Sequence, residues 1–284
     1  MTNNDKTLVL GAGGITGIAW ELGLLAGLAE RGVDLGSADL VIGTSTGAVV
    51  GAQLLGGIDL YARYRNELEG VRGEKVGRIG LRNLVRIGLA GFRASDPTDA
   101  RRRIGELALA ARTETEAVRR KTVAAWLGGV DDWLDRRLRV TAVNAETGEF
   151  MVFDKGSGVD LVAAVAASYA SPCVRPPSTI GDGRFIDSGL RSPSNADLAE
   201  GYERIVVLTP VEGGGDAMGS PVEEVAELRK QSQVVHVAPD SEARPQVGRS
   251  MPQMLKPARR AGAAKAGYAQ AARVVDEIAL VWSS

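Results

Sequence analysis

The stretch LVIGTSTGAVVGAQLL, residues 40–55, sets the tightest limit on what this chain can fold into. Leu40-Val41-Ile42 is a short apolar run of strand type. It stops at Gly43, and an Ala/Val/Leu run at helical spacing starts at Gly47, with Ser45 between the two glycines. A strand that turns this sharply into a helix forces strained geometry on the residue at the bend. The residues two away must then lack a Cβ, because strand and helix pass close together there. The bend lifts the Ser45 hydroxyl out of the sheet, over the positive end of the following helix. A plain loop serine between glycines is the simpler reading. The chain has 36 glycines in 284 residues, so the pattern alone is weak and its surroundings must decide.

Those surroundings predict an α/β fold. Leu8–Leu10 reads as a buried strand that runs into a glycine-rich turn, Gly11-Ala12-Gly13-Gly14-Ile15-Thr16-Gly17. A helix follows over Ile15–Arg31, closed by Gly32. With the strand at 40–42 and the helix at 47–55 this gives βαβα, the signature of a parallel sheet with right-handed crossovers. Residues 58–136 read as a helical insertion, with one helix start at Ser95 or Asp96 ahead of Pro97. Strands return as a pair near 138–154, before an alanine-rich helix over Val159–Tyr169. Brief strands follow at FID, RIVVLTP and VVHVAP, the last two separated by a glycine-rich loop and a polar helix. A last helix spans about 258–281. The expectation is one domain over residues 1–284, with helices on both faces of a mainly parallel sheet.

Composition narrows the function. Net charge is −1, which argues against a general nucleic-acid binder. One histidine and one cysteine, Cys173, assemble neither a metal cage nor an intrachain disulfide. No metal and no cofactor is expected. The first residues lack a basic stretch followed by an apolar one, and no run approaches a membrane span, so a reducing cytoplasm is the expected compartment. Charge is uneven, however: residues 61–121 hold 15 Lys/Arg against 8 Asp/Glu. Lys75, Arg78, Arg82, Arg86 and Arg93 fall on one stripe of a helical projection. Val76, Leu81, Leu84, Val85, Leu89 and Phe92 cover much of the rest. The pattern suits either a solvated helix or one lying on an anionic membrane surface through residues 75–93, as a peripheral contact or a lid.

Three other features bear on Ser45. The glycine loop leaves backbone N–H groups unpaired at a helix N-terminus, fit for a phosphate or an oxyanion. A dinucleotide fingerprint would need its third glycine at position 16, which is Thr16. Asp187, in FIDSGLRSPSN, stands at a strand end before a turn. It suits either an Asx-turn or a carboxylate beside a serine hydroxyl. His236, the one imidazole, lies within an apparent strand buried on both faces, which favours packing over catalysis. The order Ser45, Asp187, His236 also fits an α/β-hydrolase triad, although such folds place several strands before the elbow.

In order, GAGGITG, GTSTG and DSG resemble the patatin-like phospholipases, and AASYASPCVRPP resembles the Ala/Ser/Pro-rich stretch those proteins carry before their aspartate. The resemblance covers about residues 7–200. It implies a three-layer patatin-like sandwich and a lipid acyl hydrolase with a Ser45–Asp187 dyad working through an acyl-enzyme. It further implies an oxyanion hole from the N–H groups of Gly13, Gly14 and Thr46, with Gly11, Gly43, Gly47 and Gly189 as motif glycines. The implied partner is a lipid or acyl-ester substrate. Two positions depart from the family pattern: Thr16, where a basic residue is common, and Ser188, where glycine is usual and a side chain would crowd the turn or hydrogen-bond Asp187. A non-catalytic lipid-binding member of the fold is the reading these departures leave open.

Overall fold

The computed structural model describes residues 6–70, 77, 79–134, 137–213 and 218–282. Strand β1 (Lys6–Leu10), helix α1 (Gly14–Glu30), strand β2 (Leu40–Gly43) and helix α2 (Thr46–Leu55) form the opening βαβα. Four helices follow: α3 (Leu60–Glu69), α4 (Leu81–Phe92), α5 (Pro97–Leu109) and α6 (Glu116–Leu127). Then come β3 (Arg137–Asn144), β4 (Phe150–Phe153), α7 (Leu161–Ser168), β5 (Ser178–Ile180), β6 (Gly183–Asp187) and β7 (Arg204–Leu208). The chain closes with α8 (Pro221–Leu228), β8 (Gln233–Val237), the short α9 (Arg244–Val247) and α10 (Met251–Met254), and α11 (Arg260–Trp282).

Helix starts follow capping chemistry. The Asp96 side chain accepts the N–H groups of Thr98 and Asp99, with Pro97 at the first helical position of α5. Thr115 and Asp160 cap α6 and α7 in the same way.

One mixed sheet carries the fold, hydrogen-bonded in the order β5-β6-β3-β2-β1-β7-β8, with β4 added to β3. β3, β2, β1, β7 and β8 are parallel neighbours. On β1, β2 and β7 both faces are buried, which is why these strands read as continuous apolar runs rather than alternating ones. Leu8, Leu10, Val41, Val206 and Leu208 face the larger core with α1, α2, α7 and α11. Val9, Leu40, Ile42, Ile205 and Val207 face the smaller one with Val225 and Leu228 of α8.

Register explains how distant segments meet. At Val140 strand β3 pairs with both Gly43 of β2 and Phe153 of β4. At Ala142 it pairs with both Met151 of β4 and Asp187 of β6. A strand has two edges, so β2 and β6 share the edge opposite β4. β2 runs parallel to β3 and β6 antiparallel, so their C-terminal ends meet head-on, separated by the width of Thr141.

Three expectations need correction. β8 is an edge strand with partly exposed residues, so His236 is not in a strand buried on both faces. β5 was not anticipated; its three residues follow Pro176-Pro177 and have no period to read. The basic stripe is not one helix from residue 75. α4 begins at Leu81 behind Gly80, so it carries Arg82 and Arg86, with Arg93 at its C-terminal cap. Lys75, Val76 and Arg78 lie outside the described residues, as do residues 214–217 of the glycine-rich loop.

Candidate active site

Ser45 sits at the bend between β2 and α2 with φ 55° and ψ −114°, a left-handed setting that a residue with a Cβ rarely adopts. The flanking glycines make the bend possible. A Cβ on Gly47 would stand 2.0 Å from the Leu10 carbonyl oxygen, and one on Gly43 2.5 Å from the Ala48 Cα. Both contacts are to backbone, which cannot step aside. The strain is held in place by hydrogen bonds around it. The Ser45 N–H donates to Ser168 Oγ at 2.8 Å, and the Gly47 N–H donates to the Gly11 carbonyl at 3.1 Å. The Thr46 hydroxyl donates to the same Gly11 oxygen at 3.3 Å, tying elbow and glycine loop together.

The Ser45 hydroxyl donates to Asp187 Oδ2 at 2.7 Å. Asp187 ends β6, so the head-on meeting of β2 and β6 delivers the two side chains to one point. Oδ2 also accepts the Ser171 hydroxyl at 3.0 Å, and Oδ1 accepts the Gly189 N–H at 2.9 Å. The Asx-turn and the serine contact are therefore both present, one on each oxygen. Both side chains are buried, Ser45 at 3% exposure and Asp187 at 7%. Burial pushes the Asp187 carboxyl above the usual carboxylate range, opposed by the hydrogen bonds from Ser45, Gly189 and Ser171. The result is a carboxylate more basic than one in water, in contact with a hydroxyl.

Gly13 and Gly14 head α1, and Thr46 heads α2, where helical N–H groups have no intrahelical acceptor. Gly14 has φ 61°, and a Cβ there would meet the Met254 backbone at 2.9 Å. The Gly13 position is closed to a Cβ by Pro210, at 2.4 Å. Ser45 is the residue before the first turn of α2, so the positive end of that helix lies at the serine, a setting that suits developing negative charge.

The two departing positions have structural partners. The Thr16 hydroxyl is buried and donates to the Val247 carbonyl at 2.7 Å, fastening α1 to α9. Ser188 neither crowds the turn nor bonds Asp187. Its hydroxyl is fully buried, 2.9 Å from the Thr141 carbonyl oxygen and 2.7 Å from the Thr141 hydroxyl.

His236 is elsewhere. β8 is three strands from β2 in the sheet, about 14 Å at the usual strand spacing. Its Nε2 lies 2.6 Å from Thr209 Oγ1, and burial lowers its pKa. Ser168 and Ser171 were not singled out as site residues, although the stretch ASYAS holds both; only the fold shows which serine meets which atom. Among the described residues no group of three or more acidic, histidine or cysteine side chains is placed to hold a metal ion.

The fold is thus an α/β sandwich in which a buried serine meets a buried carboxylate at the start of a helix. The patatin-like phospholipase family model matches residues 8–200, and the chain belongs to that family. This membership places it among lipid acyl hydrolases. No curated protein matches the chain in sequence. Among solved structures it is similar to VipD from Legionella pneumophila, at 14% identity and TM-score 0.47, covering 97% of this chain and 67% of that one. The type III effector ExoU matches at 16% identity and TM-score 0.43, over 98% of this chain and 54% of that one. Human GIVD cytosolic phospholipase A2, solved with methyl gamma-linolenyl fluorophosphonate, matches at 9% identity and TM-score 0.45, over 99% and 59%. The chain thus spans little more than half the length of the last two.

Proposed function

We propose that this chain is a single-domain enzyme that hydrolyses ester bonds of phospholipids or related lipids, with Ser45 as nucleophile and Asp187 as its general base. The observation that carries the reading is the 2.7 Å contact between Ser45 Oγ and Asp187 Oδ2 at a strained elbow. Ser45 Oγ attacks the ester carbonyl carbon as its proton passes to Asp187 Oδ2. The oxyanion is received by the N–H groups of Gly13, Gly14 and Thr46. Collapse of the tetrahedral intermediate breaks the C–O bond to the alcohol, which takes the proton from Asp187. Water then attacks the acyl-Ser45 carbonyl carbon as its proton passes to Asp187, the bond from that carbon to Oγ breaks while Oγ takes the proton back from Asp187, and the fatty acid leaves with Ser45 and Asp187 restored. Burial supports the base role, because a carboxylate near its aqueous pKa of about 4 is a weak acceptor for a hydroxyl proton.

The substrate is reached at a lipid surface through α4. None of its residues is buried; Leu81 is 77% and Phe92 88% exposed, beside Arg82 and Arg86. The test of the catalytic reading is covalent labelling with a fluorophosphonate. The parent protein is labelled on Ser45, and Ser45→Ala is neither labelled nor active on a p-nitrophenyl ester while its far-UV CD is unchanged. Labelling absent from a folded parent protein would favour a lipid-binding member without catalysis.

A further inference from the structure

Residues 191–195 touch all three parts of the proposed centre. They leave the turn after Asp187, where Ser45, Ser171 and Gly189 form a hydrogen-bonded cage around the carboxylate. The Pro193 carbonyl accepts the Ala12 N–H at 2.7 Å and so holds the glycine loop. Ser194 and Asn195 then reach Thr44, the residue before Ser45. Local sequence shapes this segment. Ser192 Oγ accepts the N–H groups of Ser194 and Asn195, at 3.1 and 3.0 Å, which closes a serine turn. Asn195 follows in the left-handed region, φ 50° and ψ 39°, which asparagine tolerates better than most residues with a Cβ.

Asn195 is fully buried, and its amide can sit only one way round. The Arg191 guanidinium can only donate, so the amide oxygen faces it, at 2.8 Å. The Ser192 carbonyl can only accept, so the amide nitrogen faces it, at 3.0 Å. The second amide proton goes to Thr44 Oγ1, also at 3.0 Å. Thr44 Oγ1 accepts there and sends its own proton to the Ser194 carbonyl, at 3.0 Å. The Thr44 N–H donates to the Leu10 carbonyl at 3.0 Å. Thr44 is therefore fixed through its backbone and its side chain, away from water.

We infer that Asn195 is a positioning residue for acyl transfer: its amide locks Thr44, and Thr44 holds the strained bend at Ser45 in the geometry that meets Asp187. The inference rests on the hydrolase reading above. A backbone strained like that of Ser45 persists only where its surroundings over-determine it. On the helix side Gly47 does this through Gly11, and on the strand side Thr44 does it through Asn195. Without the amide the strand side loses an anchor, and the bend relaxes by moving the hydroxyl off the carboxylate. A misplacement of about 1 Å at a reaction centre costs about a hundredfold in rate. A loosened bend misplaces the nucleophile without removing a contact to the lipid, so the loss falls on kcat rather than on KM.

Asn195→Gly removes the amide and leaves a residue at ease with positive φ. Rates are taken per Ser45 that a fluorophosphonate labels at completion, which corrects for unfolded protein. Asn195→Gly should lower kcat on p-nitrophenyl butyrate at least about tenfold, with KM within about twofold of the parent. Thr44→Val, which removes the acceptor, should do the same, and Thr44→Ser, which keeps it, should retain most of the rate. Asn195→Gly combined with Thr44→Val should be no slower than the slower single variant, because both break one bond. Losses that multiply, a parent kcat in Asn195→Gly, or a change confined to KM would overturn the inference and leave the hydrolase reading standing. If Asn195→Gly does not fold, the Thr44 pair decides, and parent rates in both Thr44→Val and Thr44→Ser would overturn it. A second measurement needs no turnover. Hydrogen exchange of residues 40–55 should quicken in Asn195→Gly while α11 exchanges as in the parent. A parent that is neither labelled nor active sinks the hydrolase reading. Quickened exchange confined to 40–55 would then still place Asn195 as the clamp on the elbow, and unchanged exchange there would remove the clamp as well.

Discussion

The hydroxyls of Thr141 and Ser188 lie 2.7 Å apart in the gap where β2 and β6 meet head-on. Thr141 Oγ1 is also 3.2 Å from the Gly43 carbonyl oxygen and from Thr44 Oγ1. One buried threonine therefore joins the end of the serine strand to the turn after the aspartate. Ser188, the residue that departs from the family pattern, is part of this joint rather than an intrusion on the site. Ser188→Ala is expected to lower stability by about 1–2 kcal/mol, the cost of a lost buried hydrogen bond with one partner left behind. Urea unfolding measures it; a loss under about 0.3 kcal/mol would mean the joint is incidental.

The base is tested by comparing two residues. Asp187→Asn should lower kcat at least about a hundredfold, the usual scale for a lost general base. His236→Gln should keep most of its activity, since its imidazole is three strands away and bonded to Thr209. Loss of activity in a folded His236→Gln protein, with Asp187→Asn mildly impaired, would overturn the dyad.

The pH profile reads the same carboxyl. Asp187 accepts a proton only when ionised, and burial raises its pKa. Activity on a p-nitrophenyl ester should therefore rise with pH through an apparent pKa above the usual carboxylate value of about 4. Ser171 donates to the charged form and so holds that pKa down. Ser171→Ala should shift the acidic limb to higher pH, and Ser171→Thr should restore it. A limb that stays in place in Ser171→Ala would show that the hydroxyl is not acting on Asp187.

How much of this could be read from the chain alone depends on distance along it. The elbow was legible because its cause is local: Gly43 and Gly47 clear the backbone of Leu10 and Ala48, and the bend leaves no other choice of residue. The start of α5 was legible for the same reason, since Asp96 caps the two residues that follow Pro97. Ser45 and Asp187 are 142 residues apart along the chain, and their approach rests on the register of β3 with both β2 and β6, which no local pattern encodes. Ser168 and Ser171 were invisible individually for a related reason. They are two hydroxyls in a run of small residues until α7 and β6 are placed against the elbow.

Glu21 offers a separate test of the core. Its carboxyl is fully buried on α1 without a well-formed hydrogen bond, and burial pushes its pKa well above the usual range, with the Gly11 backbone opposing. A carboxyl with a raised folded pKa is favoured by folding while protonated. Its contribution is intact below the unfolded pKa of about 4.3 and is lost as pH rises toward the folded value. Glu21→Met removes the titration and the unsatisfied oxygens together. It should gain about 1–3 kcal/mol near neutral pH, and less below pH 4. Thermal unfolding across that range decides it; equal gains at both ends would deny the titration.

Membrane contact through α4 makes the last prediction. Leu81, Val85, Leu89 and Phe92 recur at helical spacing and are all exposed, so the helix presents an apolar stripe to solvent. A water-facing helix gains nothing from such a stripe, whereas an interfacial one buries it among acyl chains. Arg82 and Arg86 flank the stripe and Arg93 caps it, which adds attraction to anionic headgroups of about 1 kcal/mol for each cation near the surface. The helix also lies near the dyad's cage. Gly77, ahead of it, approaches Val174, three residues from Ser171, and Arg86 acts electrostatically on Cys173. Binding there would bring the bilayer close to the segment that carries Ser171. The protein should therefore sediment with phosphatidylglycerol-containing vesicles at low salt, more weakly with phosphatidylcholine alone, and less as salt rises. Leu81→Ser with Phe92→Ser should reduce binding to both vesicle types, because it removes apolar burial. Arg82→Gln with Arg86→Gln should reduce binding to the anionic vesicles only. Equal sedimentation with neutral and anionic vesicles would eliminate the electrostatic part, and no sedimentation with either would eliminate the contact.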